Sequence, residues 1–301
     1  MKNCNYSIGV VDYLGRFEEY FIPLIKKLVQ IFPDIEIICV LNGHHDIKAQ
    51  IKYIKKASIF LSKFSNIRYY SFDDHQSLSK CWNRIILMSL NDRILMLNDD
   101  LMIDPYFRFD FERNLNKKND FFVINNSWSH FLISKEVVKN VGWFEERLLG
   151  IGWEDGDFML RMVENNITPT SLKCLGIKNF VAPATNAGFS SISNFIGKYS
   201  EINKNFFHEK WHFNHSDKEI GYESFIKYKI NFLWNNQELS GEIKDGMCTP
   251  IFYPFELLET NKVFVINTTN ISKKSFLIFY YKIKNIMKDK VKKIIKTFFK
   301  K

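Results

Sequence analysis

Two clusters of acidic residues could bind a cation or move a proton. The first is Asp99-Asp100, which follows the apolar run Ile94–Leu97. Two adjacent carboxylates at the end of a buried strand repel each other and lose hydration, so we expect a positive charge beside them. A divalent cation held by one or two carboxylates and by substrate phosphates would supply it. The alternative is that the two aspartates only form a turn or cap a helix.

The second acidic cluster, Glu154, Asp155 and Asp157, lies between a glycine-containing loop and an apolar helical period that we expect to start just after Asp157. Acids at a helix N-terminus are favoured by the helix dipole, which is a purely structural explanation. The glycines on either side of Ile151 and the adjacent Trp153 instead suggest a loop that presents a flat ring to a ligand. A core position for Trp153 is the competing interpretation.

Alternating apolar strands and amphipathic helices precede these clusters, which predicts a doubly wound α/β sheet. Four strands are expected before residue 100, followed by two more and a short helix: Ser7–Asp12, Ile35–Leu41, Asn66–Phe72, Ile94–Leu97, Asp120–Asn125, Ser129–Ser134 and the helix Lys135–Val141. Ligands of such sheets bind beyond the carboxyl ends of the strands, which is where Asp99 and Asp100 lie. Residues 167–215 are expected to be irregular.

Three histidines, His208, His212 and His215, lie close together, and the first two have the spacing of ligands on one helical face. No second ligand pair accompanies them, so a dedicated zinc centre is not expected. The five cysteines are scattered, without metal-ligand spacing, which favours a reducing compartment.

The net charge of +9 comes from the C-terminal segment. Residues 273–301 contain eleven lysines and one acid, a charge of +10, which leaves −1 for the first 272 residues. The segment has the apolar period of a basic amphipathic helix, and we expect it to bind an anionic membrane surface, each lysine contributing ~1 kcal/mol. The alternatives are a solvated helix docked on its own domain and, least favoured, nucleic-acid binding. With no signal peptide or spanning run, we expect a cytoplasmic protein attached peripherally to the inner face of the cytoplasmic membrane.

The ordered motifs of residues 5–215 resemble GT-A glycosyltransferases, especially bacterial family 2-like enzymes. The Asn98-Asp99-Asp100 turn is similar to their DxD motif, and residues 142–161 are similar to their second block. The matching positions there are Gly142, Phe144-Glu145-Glu146, Glu154-Asp155, Asp157 and Arg161. The Gly-Trp-Glu-Asp piece is also similar to a loop of β-1,4-galactosyltransferases. The helix carrying Asn83 and the FFHEKWH segment at 206–212 complete the resemblance.

The resemblance implies a GT-A domain with a doubly wound mixed sheet over 1–215, an accessory extension of unassigned role over 216–272, and the terminal helix over 273–301. It implies that Asp155 is the general base and that Trp153 and Glu154 bind the acceptor. It also implies that Asp100 and His212 hold Mn²⁺ or Mg²⁺. Asn186, another late histidine or water are further options for the remaining metal ligand. The implied nucleotide-sugar-binding residues are Asp12, Asn42, Lys80, Asn83, Asp99, Lys210 and Trp211.

The chain departs from the family pattern at Leu41-Asn42, where an aspartate pair is common, and at 185–190, where a histidine is often found. The activity implied is metal-dependent, inverting transfer of a sugar from a nucleotide-sugar donor to a hydroxyl of a cell-envelope glycan or glycolipid. A nucleotidyltransferase is one alternative, although Val11–Glu18 has a single glycine and a single arginine where a phosphate loop is expected. A non-catalytic, membrane-attached binding module is the other.

Overall fold

The computed structural model describes residues 6–13, 15–44, 46–115, 120–179, 199, 201–208 and 210–211. Nine strands are found: β1 Tyr6–Asp12, β2 Ile37–Leu41, β3 Ile67–Ser71, β4 Arg93–Asn98, β5 Leu101–Ile103, β6 Phe121–Ile124, β7 Ser127–Ser134, β8 Ser171–Leu172 and β9 Ile177–Asn179 within these residues. The helices of the same part of the chain are α1 Ile22–Ile31, preceded by a π-helical turn over Phe17–Phe21, α2 Ile47–Leu61, α3 Leu78–Met88, α4 Pro105–Asn114, α5 Lys135–Val141 and α6 Glu154–Glu164. Residues 201–208 are also helical.

Seven of the strands form one sheet in the order β3-β2-β1-β4-β7-β6-β8. Strands β1 to β4 are parallel, whereas β7 runs antiparallel to both β4 and β6. The remaining two strands, β5 and β9, pair antiparallel beside it. The sheet is thus the doubly wound mixed α/β sheet that the resemblance predicts.

Each face of the sheet is covered by helices, because alternate residues of the buried strands point to opposite sides. One core packs α1, α2 and α4 against the sheet, and the other packs α3, α5 and α6. Gly9 in β1 lets α3 come close to the sheet, since a Cβ added there would collide with Ile85 and lie 2.9 Å from the sulfur of Met96. The central strands β1, which ends in Asp12, and β4, which is followed by Asp99 and Asp100, are therefore held firmly between two cores.

Two expectations about local structure are wrong. Helix α6 begins at Glu154 and not after Asp157, because Trp153 adopts a left-handed conformation (φ 77°) that starts the helix there. Residues 167–215 are not irregular throughout: β8 pairs with β6, β9 pairs with β5, and 201–208 are helical. Two- and three-residue strands have too little hydrophobic pattern of their own to be read from the sequence.

Several predicted features lie outside the described residues: Asn186, His212, His215, the extension 216–272 and the basic segment 273–301. In the part of the chain that is described, no helix combines the length and apolar character needed to cross a membrane.

Candidate active site

A cavity of about 380 Å³ lies at the carboxyl ends of β1 and β4. Its lining also includes the first residues of β7 and the N-terminus of α6. The cavity is lined by Val11, Tyr13, Arg16, Leu78, Trp82, Asn98, Asp99, Asn126, Ser127, Trp128, Ser129, Ile151, Glu154 and Asp155. It brings Asp99 of the first acidic cluster together with Glu154 and Asp155 of the second, as a two-cluster site requires.

The positive charge expected beside the first acid pair is supplied by Arg16. Its Nη2 lies 3.1 Å from Oδ1 of Asp99 and 2.6 Å from Oδ2 of Asp100. The backbone N–H of Tyr13 donates a long hydrogen bond of 3.3 Å to the other oxygen of Asp99. Sequence reasoning missed Arg16 as a site residue, although its position just after β1, the parallel neighbour of β4, was an available signal.

The carboxyl group of Asp99 is in an environment that disfavours its charged form. Asp99 is buried, and this burial raises its pKa to about 7 despite the adjacent Arg16, with a further contribution from Asp100. Asp12 lies behind it at the end of β1, completely buried, and burial together with the charge of Asp99 raises the pKa of Asp12 well above its usual range. Acids that are costly to ionise at one place favour the binding of a cation there.

The residues fit a divalent cation of the Mg²⁺ or Mn²⁺ type. Oδ1 of Asp100 is buried and has no hydrogen-bond partner among the described residues, so this oxygen is available as a ligand. No group of three histidine, cysteine or acidic side chains gathers within that part of the chain. One or two carboxylates, completed by substrate phosphates and water, are a usual ligand set for such ions. Asp100 and Asp99 would therefore hold the metal, while His212 is not described.

His130 of β7 is a further polar residue near the pair that sequence reasoning missed. It is the antiparallel partner of Leu97 and is almost completely buried. Burial lowers the pKa of His130 to about 4, against the opposing effect of Asp100. The imidazole is thus neutral at pH 7, and the positive charge beside the acids comes from Arg16.

The second acidic cluster lies in the first turn of α6, and its residues Glu154 and Asp155 line the cavity. Oε2 of Glu154 accepts a hydrogen bond of 2.6 Å from the backbone N–H of Gly152. Burial, followed by the charge of Asp155, raises the pKa of Glu154 to about 8. Asp155 itself is half-buried and accepts a 2.8 Å bond from the N–H of Gly156. Two neighbouring carboxyls in different environments can play different parts.

Trp153 does not line the cavity. Its ring packs against Phe207, with 4.8 Å between centroids, and against His208 at 5.8 Å. The packing explanation for Trp153 thus has the geometric support, while the aromatic rings in the cavity lining are those of Tyr13, Trp82 and Trp128. Neither tryptophan was predicted as a site residue, because Trp82 reaches the cavity through the packing of α3 on the sheet and Trp128 through the pairing of β4 with β7.

Lys210 and Trp211 make internal contacts with α6. The indole N–H of Trp211 donates to Oδ1 of Asp157 at 3.0 Å, and Lys210 forms ion pairs with Asp157 and, at 3.2 Å, with Glu145. Asp157 also accepts a 2.9 Å bond from Nε of Arg161. All of these groups are nearly or fully buried, so the structure places both predicted donor-binding residues behind the cavity wall.

The predicted nucleoside-pocket residues brace loops in the described structure. The amide of Asn42 exchanges two hydrogen bonds with the backbone of Gln76, of 2.8 and 3.0 Å, and Nζ of Lys80 donates to the side chain of Gln76 at 2.8 Å. The amide of Asn83 exchanges two bonds with the backbone of Phe144 and donates a third to Glu146. These three residues and Asp12 are buried outside the cavity lining.

Asn203 holds the loop before α6 and was also missed. Its amide exchanges 2.8 Å hydrogen bonds with the backbone N–H and C=O of Leu149 and donates to the carbonyl of Gly152 at 3.1 Å. Gly150 of the same loop accepts a 2.8 Å bond from the N–H of Leu78 at the start of α3. The loop that places Glu154 and Asp155 is thus fixed from both sides.

No protein-family model matches the chain, and no curated protein matches it in sequence. Among solved structures, it is similar to glucosyl-3-phosphoglycerate synthase from Mycobacterium tuberculosis in complex with Mn²⁺, uridine diphosphate and phosphoglyceric acid (12% identity, 68% of this chain and 78% of that chain, TM-score 0.45). It is also similar to GalNAc-T7 with UDP, GalNAc and Mn²⁺ (9%, 74% and 54%, 0.45) and to S. aureus TarS (16%, 71% and 44%, 0.42). At these identities and TM-scores the likeness carries no activity over to this chain, whose function has to come from its own residues.

Proposed function

We propose that this protein is a metal-dependent glycosyltransferase that moves a sugar from a nucleotide-sugar donor to an acceptor hydroxyl with inversion. The observation that carries the proposal is that one cavity is lined by Asp99, beside Asp100, and also by Glu154 and Asp155. One cluster is suited to the diphosphate end of the donor and the other to the acceptor proton. The resemblance of the ordered motifs to GT-A glycosyltransferases supports the same activity.

On the donor side, Asp99 and Asp100 provide the hard oxygen ligands at the end of β4. A divalent ion bound there would neutralise the charge that develops on the diphosphate leaving group. Trp128 offers a flat apolar surface to a sugar ring at the same cavity. The donor would then lie with its anomeric carbon between the two acidic clusters.

On the acceptor side, Glu154 and Asp155 at the start of α6 have different roles. Glu154 keeps its proton at neutral pH because its pKa is raised to about 8, so it can donate a hydrogen bond to the acceptor. Asp155 is the half-buried carboxylate at the same wall, and we assign it the role of general base that takes the hydroxyl proton. A direct attack in which the base and the leaving group lie on opposite faces of the anomeric carbon would invert that centre.

The acceptor is proposed to be a cell-envelope glycan or glycolipid at the inner face of the cytoplasmic membrane. The support is the composition of residues 273–301, whose charge of +10 suits an anionic lipid surface. Flotation of the full chain with vesicles tests this. We expect binding to anionic vesicles that is lost at high salt, and equal binding to neutral vesicles would contradict it.

The donor site is tested by thermal unfolding with UDP, GDP, CMP and dTDP, each with and without Mn²⁺. We expect one nucleotide to stabilise the protein only when Mn²⁺ is present, and Asp100→Asn to lose this effect. The nucleotide that stabilises identifies the base. If no nucleotide stabilises the wild-type protein, the glycosyltransferase proposal fails.

A further inference from the structure

We propose that Arg16 is an internal counter-cation for the acid pair, which it holds in the metal-free protein and releases when a divalent cation binds. The inference rests on the metal role given to Asp99 and Asp100 in the proposed function. It adds that guanidinium and metal alternate at the same two carboxylates.

The contact geometry suits an exchangeable partner. A single nitrogen of Arg16, Nη2, contacts an oxygen of each acid, at 3.1 Å for Asp99 and 2.6 Å for Asp100. The paired, fork-like contact that makes arginine–carboxylate bridges strong is not used, and Nε of Arg16 has no hydrogen-bond partner among the described residues. Arg16 therefore acts here as a point charge, which a metal ion can replace.

The guanidinium and a metal ion cannot share the position. An ion bound by Asp99 and Asp100 would stand within a few ångströms of Nη2, where two positive charges repel strongly in a partly buried site. Oδ1 of Asp100 is buried without a hydrogen-bond partner in the described part of the chain, so an ion could bind this oxygen without breaking another contact. Binding of the ion to Asp99 and Asp100 would thus displace Arg16.

The side chain of Arg16 also has room to move away from the acid pair. It lies on the cavity wall, and its guanidinium is stacked over the ring of Tyr20, 4.8 Å from the centroid. The preceding Gly15 has φ +74°, and the nearest atom to a Cβ added there is a carbon of His44 at 3.7 Å, so the turn is not tightly packed. Once released, the fork of Arg16 faces the space where the phosphates of the donor would lie, a group that it binds well.

The test is the binding of Mn²⁺ alone, without nucleotide, to the full chain. Titration followed by electron paramagnetic resonance should show that Arg16→Gln binds Mn²⁺ about tenfold more tightly than wild type, since the ion no longer competes with the guanidinium. In EDTA the variant should unfold at a lower temperature than wild type, because two acids then lack a counter-charge. Mn²⁺ should raise its unfolding temperature by more than that of wild type.

Arg108→Gln is the matched control. Arg108 also bridges two acids, contacting Asp34 at 2.6 Å and Glu112 at 2.9 Å, away from the cavity. Its loss should leave Mn²⁺ affinity unchanged. Arg16→Lys, which keeps the charge, should stay close to wild type in Mn²⁺ affinity.

Equal Mn²⁺ affinity and equal Mn²⁺ stabilisation in wild type and Arg16→Gln would overturn the inference. If Arg16→Gln folds only when Mn²⁺ is present, the inference is supported in a stronger form, and failure to fold with Mn²⁺ would contradict it. The proposed function fails in a different way: wild type would bind no nucleotide, while the effect of Mn²⁺ on Arg16→Gln would persist.

Discussion

The indole nitrogen of Trp211 lies 3.0 Å from Oδ1 of Asp157, a buried hydrogen bond between residues 54 positions apart. The bond joins the helical segment 201–208 and the residues after it to α6, the helix that carries Asp155. With the ion pairs of Lys210, it makes this late segment a support for the helix that carries Glu154 and Asp155. The support explains why two motif residues of the resemblance contact the back of α6 and not the cavity.

The first prediction concerns this buried charge cluster. Asp157→Asn should destabilise the protein by about 3–5 kcal/mol, because it leaves Arg161 buried without its carboxylate and Lys210 with Glu145 alone. Urea unfolding measures the change. Asp34→Asn is the control, since Asp34 is mostly exposed in its pair with Arg108 and should cost less than about 1 kcal/mol. Equal losses in the two variants would show that the buried cluster has no special role.

The second prediction concerns the loop before α6. Asn203→Ala removes three hydrogen bonds and leaves backbone groups of Leu149 and Gly152 without their partner, at a cost of about 1–3 kcal/mol. Because the loop positions Glu154 and Asp155, amide hydrogen exchange at 149–152 should rise by more than at β1. A uniform increase over both regions would mean that Asn203 stabilises the whole domain and not the loop in particular.

The third prediction is a pH dependence that Glu154 creates. In the folded, metal-free protein it keeps its proton up to a pKa of about 8, whereas in the unfolded chain it releases the proton near the usual value of 4.5. Between these values the folded state binds more protons, so stability should fall as pH rises. The contribution of Glu154 is fully present below about pH 4.5 and is lost as pH passes 8.

Glu154→Gln removes this dependence. The free energy of unfolding of wild type, relative to the variant, should decline by up to ~1.4 kcal/mol per pH unit across the window. Denaturant unfolding at four or five pH values measures the difference. Parallel curves for the two proteins would contradict the raised pKa.

The fourth prediction concerns the contact of α3 with the sheet. Gly9→Ala should destabilise the protein by about 1–3 kcal/mol, because the new methyl group collides with Ile85 between two packed layers. The double variant Gly9→Ala, Ile85→Ala should lose less stability than the sum of the two single changes, because the second change removes the Cγ2 atom that the new methyl group meets. If Gly9→Ala is as stable as wild type, the helix is not packed as closely as described.

Local patterns in the sequence predicted much of the fold. Helix α5 was predicted with its observed bounds, since Ser134 caps its N-terminus through the N–H of Val137 and Gly142, with φ +98°, ends it. The buried strands β1, β2 and β4 were visible as apolar runs. Strands β8 and β9 were missed because their pairing partners, and not their own residues, make them strands.

The acids of the site could be predicted and their surroundings could not. Asp99 and Asp155 stand out by type and spacing, but Arg16, Trp128 and Asn203 reach the site only through strand order and long-range hydrogen bonds. No local signal in the sequence separates Trp128 and Asn203 from ordinary surface or core residues. Their roles follow from the coordinates alone.

The most direct test of the central proposal separates binding from turnover in two acid variants. Release of nucleoside diphosphate from the nucleotide sugar of the identified base would be measured with Mn²⁺, beside the affinity for the nucleotide. We predict that Asp100→Asn loses both, that Asp155→Asn keeps the affinity but loses turnover at least about a hundredfold, and that Asp34→Asn resembles wild type. Wild-type turnover in Asp155→Asn, or a loss of binding equal to that of Asp100→Asn, would contradict the separate roles proposed for the two acidic clusters.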